Sequence, residues 1–232
     1  PMMGVTTPSA RYLYRLISKK TLLWSEMIAA QALHKGDVNK LLSKNDIEHP
    51  VVLQVGGSEI DLLKNSAALA EKFQYDGINL NVGCPSKKVS QGNMGACLMK
   101  ESNLVKDCIA AMIEETSIHV SVKCRIGVDE FESYDFFKNF ISTVAESGCD
   151  TFIIHARKAF LKGLDPKKNR TIPPLNYEYV YQVKKDFPNL KFIINGGFID
   201  LQDCQNQLTK VDGVMVGRAI QSNPFLLTDV DE

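Results

Sequence analysis

Apolar residues recur along this chain in two rhythms. One has period two, as where Ile78, Leu80 and Val82 are spaced by Asn79 and Asn81, which is the pattern of a β-strand. The other has helical spacing, as in Leu62, Leu63, Ala67, Leu69, Ala70 and Phe73. The first rhythm predicts strands over 22–27, 51–55, 78–82, 120–124, 151–155, 192–195 and 214–216, with residues 2–6 as the tip of a first strand whose beginning is absent. The second predicts helices over 9–18, over 29–42 with an interruption near Gly36, from an N-cap at Ser58 through Phe73, and over 104–115, 134–147, 177–185 and 201–208. Gly148 stands where a helix C′ glycine belongs. A long polar loop is left over 156–175.

Strands alternating with amphipathic helices, with no hairpin turn chemistry, describe an α/β fold: a parallel (β/α)8 TIM barrel. A doubly wound open sheet is the competing arrangement. Against it, the glycine fingerprint of a dinucleotide fold is missing after the first strand. A length of 232 residues suits one barrel domain over 1–232, and 44% hydrophobic with 23% charged residues is enough to bury its core.

Charge and cysteine usage narrow the classes further. Basic and acidic residues balance at 27 each, so no global basic field points to nucleic acid. No apolar run approaches the roughly 18 residues of a membrane span, so no membrane partner is expected. The chain opens on Pro1-Met2-Met3 with no visible signal peptide, and the missing initiator Met suggests a trimmed N-terminus. The six cysteines (Cys84, Cys97, Cys108, Cys124, Cys149 and Cys204) form no CxxC pair. Their spacing fits no zinc site, iron–sulfur cluster or disulfide framework, so we expect no metal and a reducing, cytoplasmic setting.

Candidate chemistry gathers just past the strands. After the run 78–82, Gly83 and Pro85 hold Cys84 on a turn, where a thiol is better placed for chemistry than for packing. Other strand ends carry Met2-Met3, Glu26, Gln54, Asn81, Lys123 with Arg125, His155 with Arg157, Asn195-Gly196-Gly197 and Gly217-Arg218. Singly, Lys123 reads as a snorkelling cation and His155 as a satisfied core residue. As a ring at the C-terminal ends of barrel strands, they describe one polar pocket. Gly196, Gly197 and Gly217, followed by Arg218, have the character of the phosphate turns after the last two barrel strands, although ordinary strand-to-helix turns would read the same way.

These segments resemble a family. Pro1-Met2-Met3, Leu53-Gln54-Val55-Gly56-Gly57, Asn79-Leu80-Asn81-Val82-Gly83-Cys84-Pro85, Val122-Lys123-Cys124-Arg125-Ile126-Gly127, Ile154-His155-Ala156-Arg157, Ile194-Asn195-Gly196-Gly197 and Val214-Met215-Val216-Gly217-Arg218-Ala219 are similar to motifs of the flavin-dependent tRNA-dihydrouridine synthases. The loop from Arg157 to Leu175 resembles their A branch in particular. The resemblance spans the whole chain. It implies FMN recharged by NADPH (or NADH), and reduction of the uridine C5=C6 bond in the tRNA D-loop, at positions 20 and 20a. Hydride would pass from flavin N5 to uracil C6, with Cys84 as the acid that protonates C5.

Residue by residue, the resemblance implies that Lys123, Gln54 and His155 contact the flavin. Pro1, Met2 and Met3 would pack on its ring, and Asn195, Gly196, Gly197, Gly217 and Arg218 would grip its phosphate. Asn81 and Arg125 would face the substrate, with Arg157, Lys167 and Arg170 touching tRNA in a locally basic stretch that includes Lys162 and Lys168. A monomer is expected. Family members continue into a C-terminal helical domain that helps hold tRNA, and this chain stops at Glu232. Two alternatives remain at this stage. One is a flavin barrel that reduces a free pyrimidine or related small molecule; the other is a non-catalytic phosphate- or tRNA-binding barrel.

Overall fold

The strand-like runs become seven parallel strands in the computed structural model, which describes residues 1–231. They are β1 (Leu23–Ala29), β2 (Val51–Gly56), β3 (Gly77–Val82), β4 (His119–Arg125), β5 (Thr151–His155), β6 (Lys191–Asn195) and β7 (Gly213–Met215). Each pairs in parallel with the next in chain order. Helices follow the strands and cover the outside of the curled sheet, the arrangement of a (β/α)8 TIM barrel. The helix Tyr134–Ala145 shows why: Phe137, Phe140, Ile141 and Val144 form one apolar stripe, and all four are buried. Gly148 follows at φ +91°, but the helix is capped at Glu146, so the glycine lies one residue beyond the C′ position that the sequence implies. The break at Gly36 also appears, between helices Ala30–Lys35 and Val38–Leu41. A Cβ on Gly36 would lie 2.7 Å from the Ala32 carbonyl oxygen.

Strand alternation sorts the side chains. Ile78, Leu80 and Val82 on β3, and Val120, Val122 and Cys124 on β4, are buried in the core. The intervening residues meet inside the barrel in layers set by the register. Gln54 pairs with Asn79 and Asn79 with Ser121; one layer up, Asn81 pairs with Lys123; above that, Arg125 pairs with His155 and His155 with Asn195. The Lys123 layer continues into Ile153 and Ile193, so the interior mixes polar groups with the branched apolar residues that fill most barrels.

Two further expectations fail. Residues 2–6 are a turn instead of a strand tip: the Val5 and Thr6 amides both donate to the Met2 carbonyl, at 3.0 and 2.9 Å, and Gly4 sits at φ +71°. Backbone groups spent locally cannot enter a ladder. The segment still occupies the seam between β7 and β1: the Gly4 amide donates to Glu26 Oε1 at 2.5 Å, and the Met2 sulfur lies 3.5 Å from where a Gly217 Cβ would be. Ser58 is also not an N-cap, because the helix Ile60–Lys72 begins one residue later, after Glu59. The stretch beyond Cys84, which the sequence left without secondary structure, forms a short helix Lys87–Gln91 and a 3₁₀ segment Gly95–Lys100.

Candidate active site

The strand ends surround a cavity of about 1210 Å³. On its wall, the Cys84 turn is held by Asn81, whose Oδ1 accepts from the Gly83 amide at 3.1 Å and the Cys84 amide at 2.9 Å. The Cys84 carbonyl accepts from the Ala96 amide at 2.9 Å. Gly95, at φ +80°, makes this close return possible, since a Cβ there would stand 2.5 Å from the Cys84 carbonyl oxygen. With its backbone fastened on both sides, Cys84 presents a partly buried thiol to the cavity.

Asn81 is itself fixed from below. Its Nδ2 donates to Gln54 Oε1 at 2.8 Å, Gln54 Nε2 donates to Asn79 Oδ1 at 2.8 Å, and Asn79 Nδ2 donates to Ser121 Oγ at 3.0 Å. Each amide orients the next, so this chain runs from β4 across β3 and β2 to the cysteine. The sequence placed Asn81 against the substrate and Gln54 against the flavin. Both line the cavity, but much of their hydrogen-bonding capacity goes to each other and to the Cys84 turn.

The other wall is cationic. Lys88, Lys123, Arg125, Arg170 and Arg218 line the cavity, as does Arg11, which is ion-paired with the buried Glu48 at 2.5 Å, and among the described residues no aspartate or glutamate lines it. Lys123 Nζ donates to Asn195 Oδ1 at 3.1 Å, and Asn195 Nδ2 donates to the Met215 carbonyl at 2.8 Å. Burial first, and then the Arg125 charge, pull the Lys123 ammonium down to about 8. Burial likewise holds His155 well below its ordinary value, reinforced by Arg125, Lys123, Arg157 and Arg218. Apart from Arg11, these cations share a lining that holds no carboxylate, and such crowding calls for an anion.

Gly196 and Gly197 close the cavity at the end of β6, at φ +118° and +87°. A Cβ on Gly196 would stand 2.6 Å from His155 Cδ2, and one on Gly197 would stand 2.7 Å from Leu175 Cδ1. Side chains are thus excluded from both, and bare backbone lines the cavity there. Gly217 is under no such constraint, as its nearest neighbour would be Met2 Sδ at 3.5 Å.

All eleven residues assigned to the cofactor line this one cavity, as do Cys84, Asn81, Arg125 and Arg170. Arg157 and Lys167 lie outside it. Arg157 Nη1 is directed at the Thr171 and Pro173 carbonyls within the long loop. Arg125 is only 3% exposed. It donates to the carbonyls of Gly83 at 2.9 Å, Lys158 at 3.1 Å and Asn169 at 2.9 Å, which leaves Nη2 as its free edge. Sequence reasoning missed Asn169, which is fully buried. Its side chain bonds Phe160 through both N–H and C=O, and also the Leu164 and Asp165 carbonyls. A lone uncharged amide within a basic loop is the signal that could have found it. Among the described residues no cluster could hold a metal ion, and no helix is long and apolar enough to cross a membrane.

A family model, Dihydrouridine synthase (Dus), matches residues 1–232. Among similar proteins, the tRNA-dihydrouridine(20/20a) synthase of a Synechocystis species is 51% identical over 231 residues, covering 100% of this chain and 69% of that protein. The protein of that name from Vibrio cholerae is 50% identical over 233 residues, covering 100% of this chain and 71% of its own. That from Yersinia pestis is 50% identical over 232 residues, covering 100% and 67%.

Proposed function

The chain belongs to the dihydrouridine synthase family, and on that premise we propose that it reduces the C5=C6 bond of uridine at positions 20 and 20a of tRNA, using FMN recharged by NADPH or NADH. The observation that carries this reading is the pairing, in one cavity, of a presented thiol with a carboxylate-free cationic wall. FMN suits that wall because its phosphate is an anion and its ring offers carbonyl oxygens. At about 1210 Å³ the cavity exceeds the roughly 300–1,000 Å³ of a usual ligand pocket, which leaves room for a base beside the cofactor.

Gly196, Gly197, Gly217 and Arg218 would hold the phosphate, and Lys123, Asn195, Gln54 and His155 the ring, with Pro1, Met2 and Met3 packed beside it. Bound there, FMN supplies the hydride. Cys84 supplies the proton: its Sγ gives it to uracil C5, and Asn81 serves by fixing the turn that carries the thiol. Lys123 faces the developing negative charge, held at its post by Asn195. Arg157, Lys167 and Arg170 would meet the tRNA backbone on the long loop, itself organised by Asn169. Residues 1–232 make up the catalytic, flavin-binding unit in this reading.

Purified protein should be yellow, and FMN should raise the melting temperature of the flavin-stripped form. With NADPH and unmodified tRNA it should form dihydrouridine. A colourless protein whose melting temperature FMN leaves unmoved would remove the redox reading. Reduction of a free pyrimidine in place of tRNA would move the assignment to the small-molecule alternative.

A further inference from the structure

Behind the glycine pair, and outside the cavity lining, stands Tyr177, the first residue of the helix Tyr177–Asp186. Its hydroxyl donates to the Gly196 carbonyl at 2.6 Å. The ring is fixed by stacking on Phe198, with centroids 5.4 Å apart and planes 10° from parallel. The helix start is tied down as well, since the preceding Asn176 amide donates to the Ala156 carbonyl at 2.8 Å. Burial raises the tyrosine above its ordinary value, so the hydroxyl keeps its proton to donate.

In a trans peptide the carbonyl and the following N–H point in opposite directions. The bond between Gly196 and Gly197 is trans, the one cis bond among the described residues being His49-Pro50. With the Gly196 oxygen drawn back to Tyr177, the Gly197 N–H is turned away from it, toward the cavity. The Gly197 amide, beyond the ladder that ends at Asn195 and Met215, donates to no acceptor among the described residues.

We infer that Tyr177 is a positioning residue that sets the Gly196-Gly197 peptide to receive a phosphate monoester, and that it thereby makes the cavity favour a phosphorylated flavin over an unphosphorylated one. This rests on the FMN reading above. FMN and riboflavin differ only in the phosphate, so their dissociation constants for the flavin-stripped protein, measured by flavin fluorescence quenching, isolate the effect. Tyr177→Phe keeps the stacked ring and loses the donor. It should weaken FMN roughly threefold to tenfold, the usual worth of one neutral hydrogen bond, and leave riboflavin unchanged. Tyr181→Phe removes a hydroxyl on the same helix that donates to Gln207 Oε1 at 2.5 Å, and should change neither.

Gly197→Ala, which would place a methyl 2.9 Å from the Tyr177 hydroxyl, disturbs the same peptide and should also cost FMN more than riboflavin. Unchanged FMN affinity in Tyr177→Phe, or equal losses for both flavins, overturns the inference. So does a wild-type protein that binds both flavins equally. A wild-type protein that binds neither overturns the cofactor reading instead.

Discussion

At the scale of single residues, Cys84 carries the sharpest chemistry. Its amide and its carbonyl are both engaged, by Asn81 and Ala96, so the thiol is the group left to act. Cys84→Ala should cut dihydrouridine formation by about 10²-fold or more, the scale of a lost general acid, while NADPH-dependent reduction of the bound flavin continues. Cys84→Ser should recover little, since a hydroxyl is a far weaker acid. Cys108, Cys124, Cys149 and Cys204 are buried, and burial pushes Cys124 and Cys149 up to about 12; their alanine variants should keep activity. Wild-type rates from Cys84→Ala would reassign the acid. Residue type and flanking turns were enough to mark Cys84, Lys123 and the glycine pair in the sequence. The tasks of Asn81, Arg125, Asn169 and Tyr177 were not legible there, because each depends on a partner brought close only by the fold: Arg125 reaches Gly83 and Asn169, and Tyr177 reaches Gly196.

At the scale of elements, the strands were readable because their apolar faces sit against helices along their whole length, which keeps the period intact. β2 is buried at every position and β5 likewise. The segment after Cys84 was not readable, since its shape comes from one return contact and not from a repeating pattern. That contact can be tested by comparing two glycines. Gly95 and Gly163 have nearly the same backbone, at φ +80° and +82°, but only Gly95 is crowded. Gly163→Ala should cost only the left-handed strain, roughly 1–2 kcal/mol. Gly95→Ala adds a clash with the Cys84 carbonyl, so it should lower the melting temperature further and depress dihydrouridine formation. Equal melting temperatures and equal activities in the two variants would mean that the turn does not depend on this approach.

At the scale of the whole molecule, the weak line is the seam. β7 has three residues and, among the described residues, bonds only β6, and the six N-terminal residues stand between it and β1 without joining a ladder. Asp231 helps to close the seam from the other end of the chain: its carboxylate accepts from Ser18 Oγ at 2.6 Å and from the Lys19 and Lys20 amides at 2.5 and 3.1 Å. Amide hydrogen exchange in the flavin-free protein should therefore be fastest among the strands at β7 and slowest at β3 and β4, which are paired on both sides. Adding FMN should slow β7 most. Uniform protection across the sheet would show that the seam is as firm as the rest. Met2 and Gly217 meet at the cavity although nearly the entire sequence separates them. A ligand gripped from both sides there acts as a non-covalent cross-link between two segments far apart in the sequence. The loop it closes is long, and the chain entropy removed by such a closure grows with the logarithm of loop length.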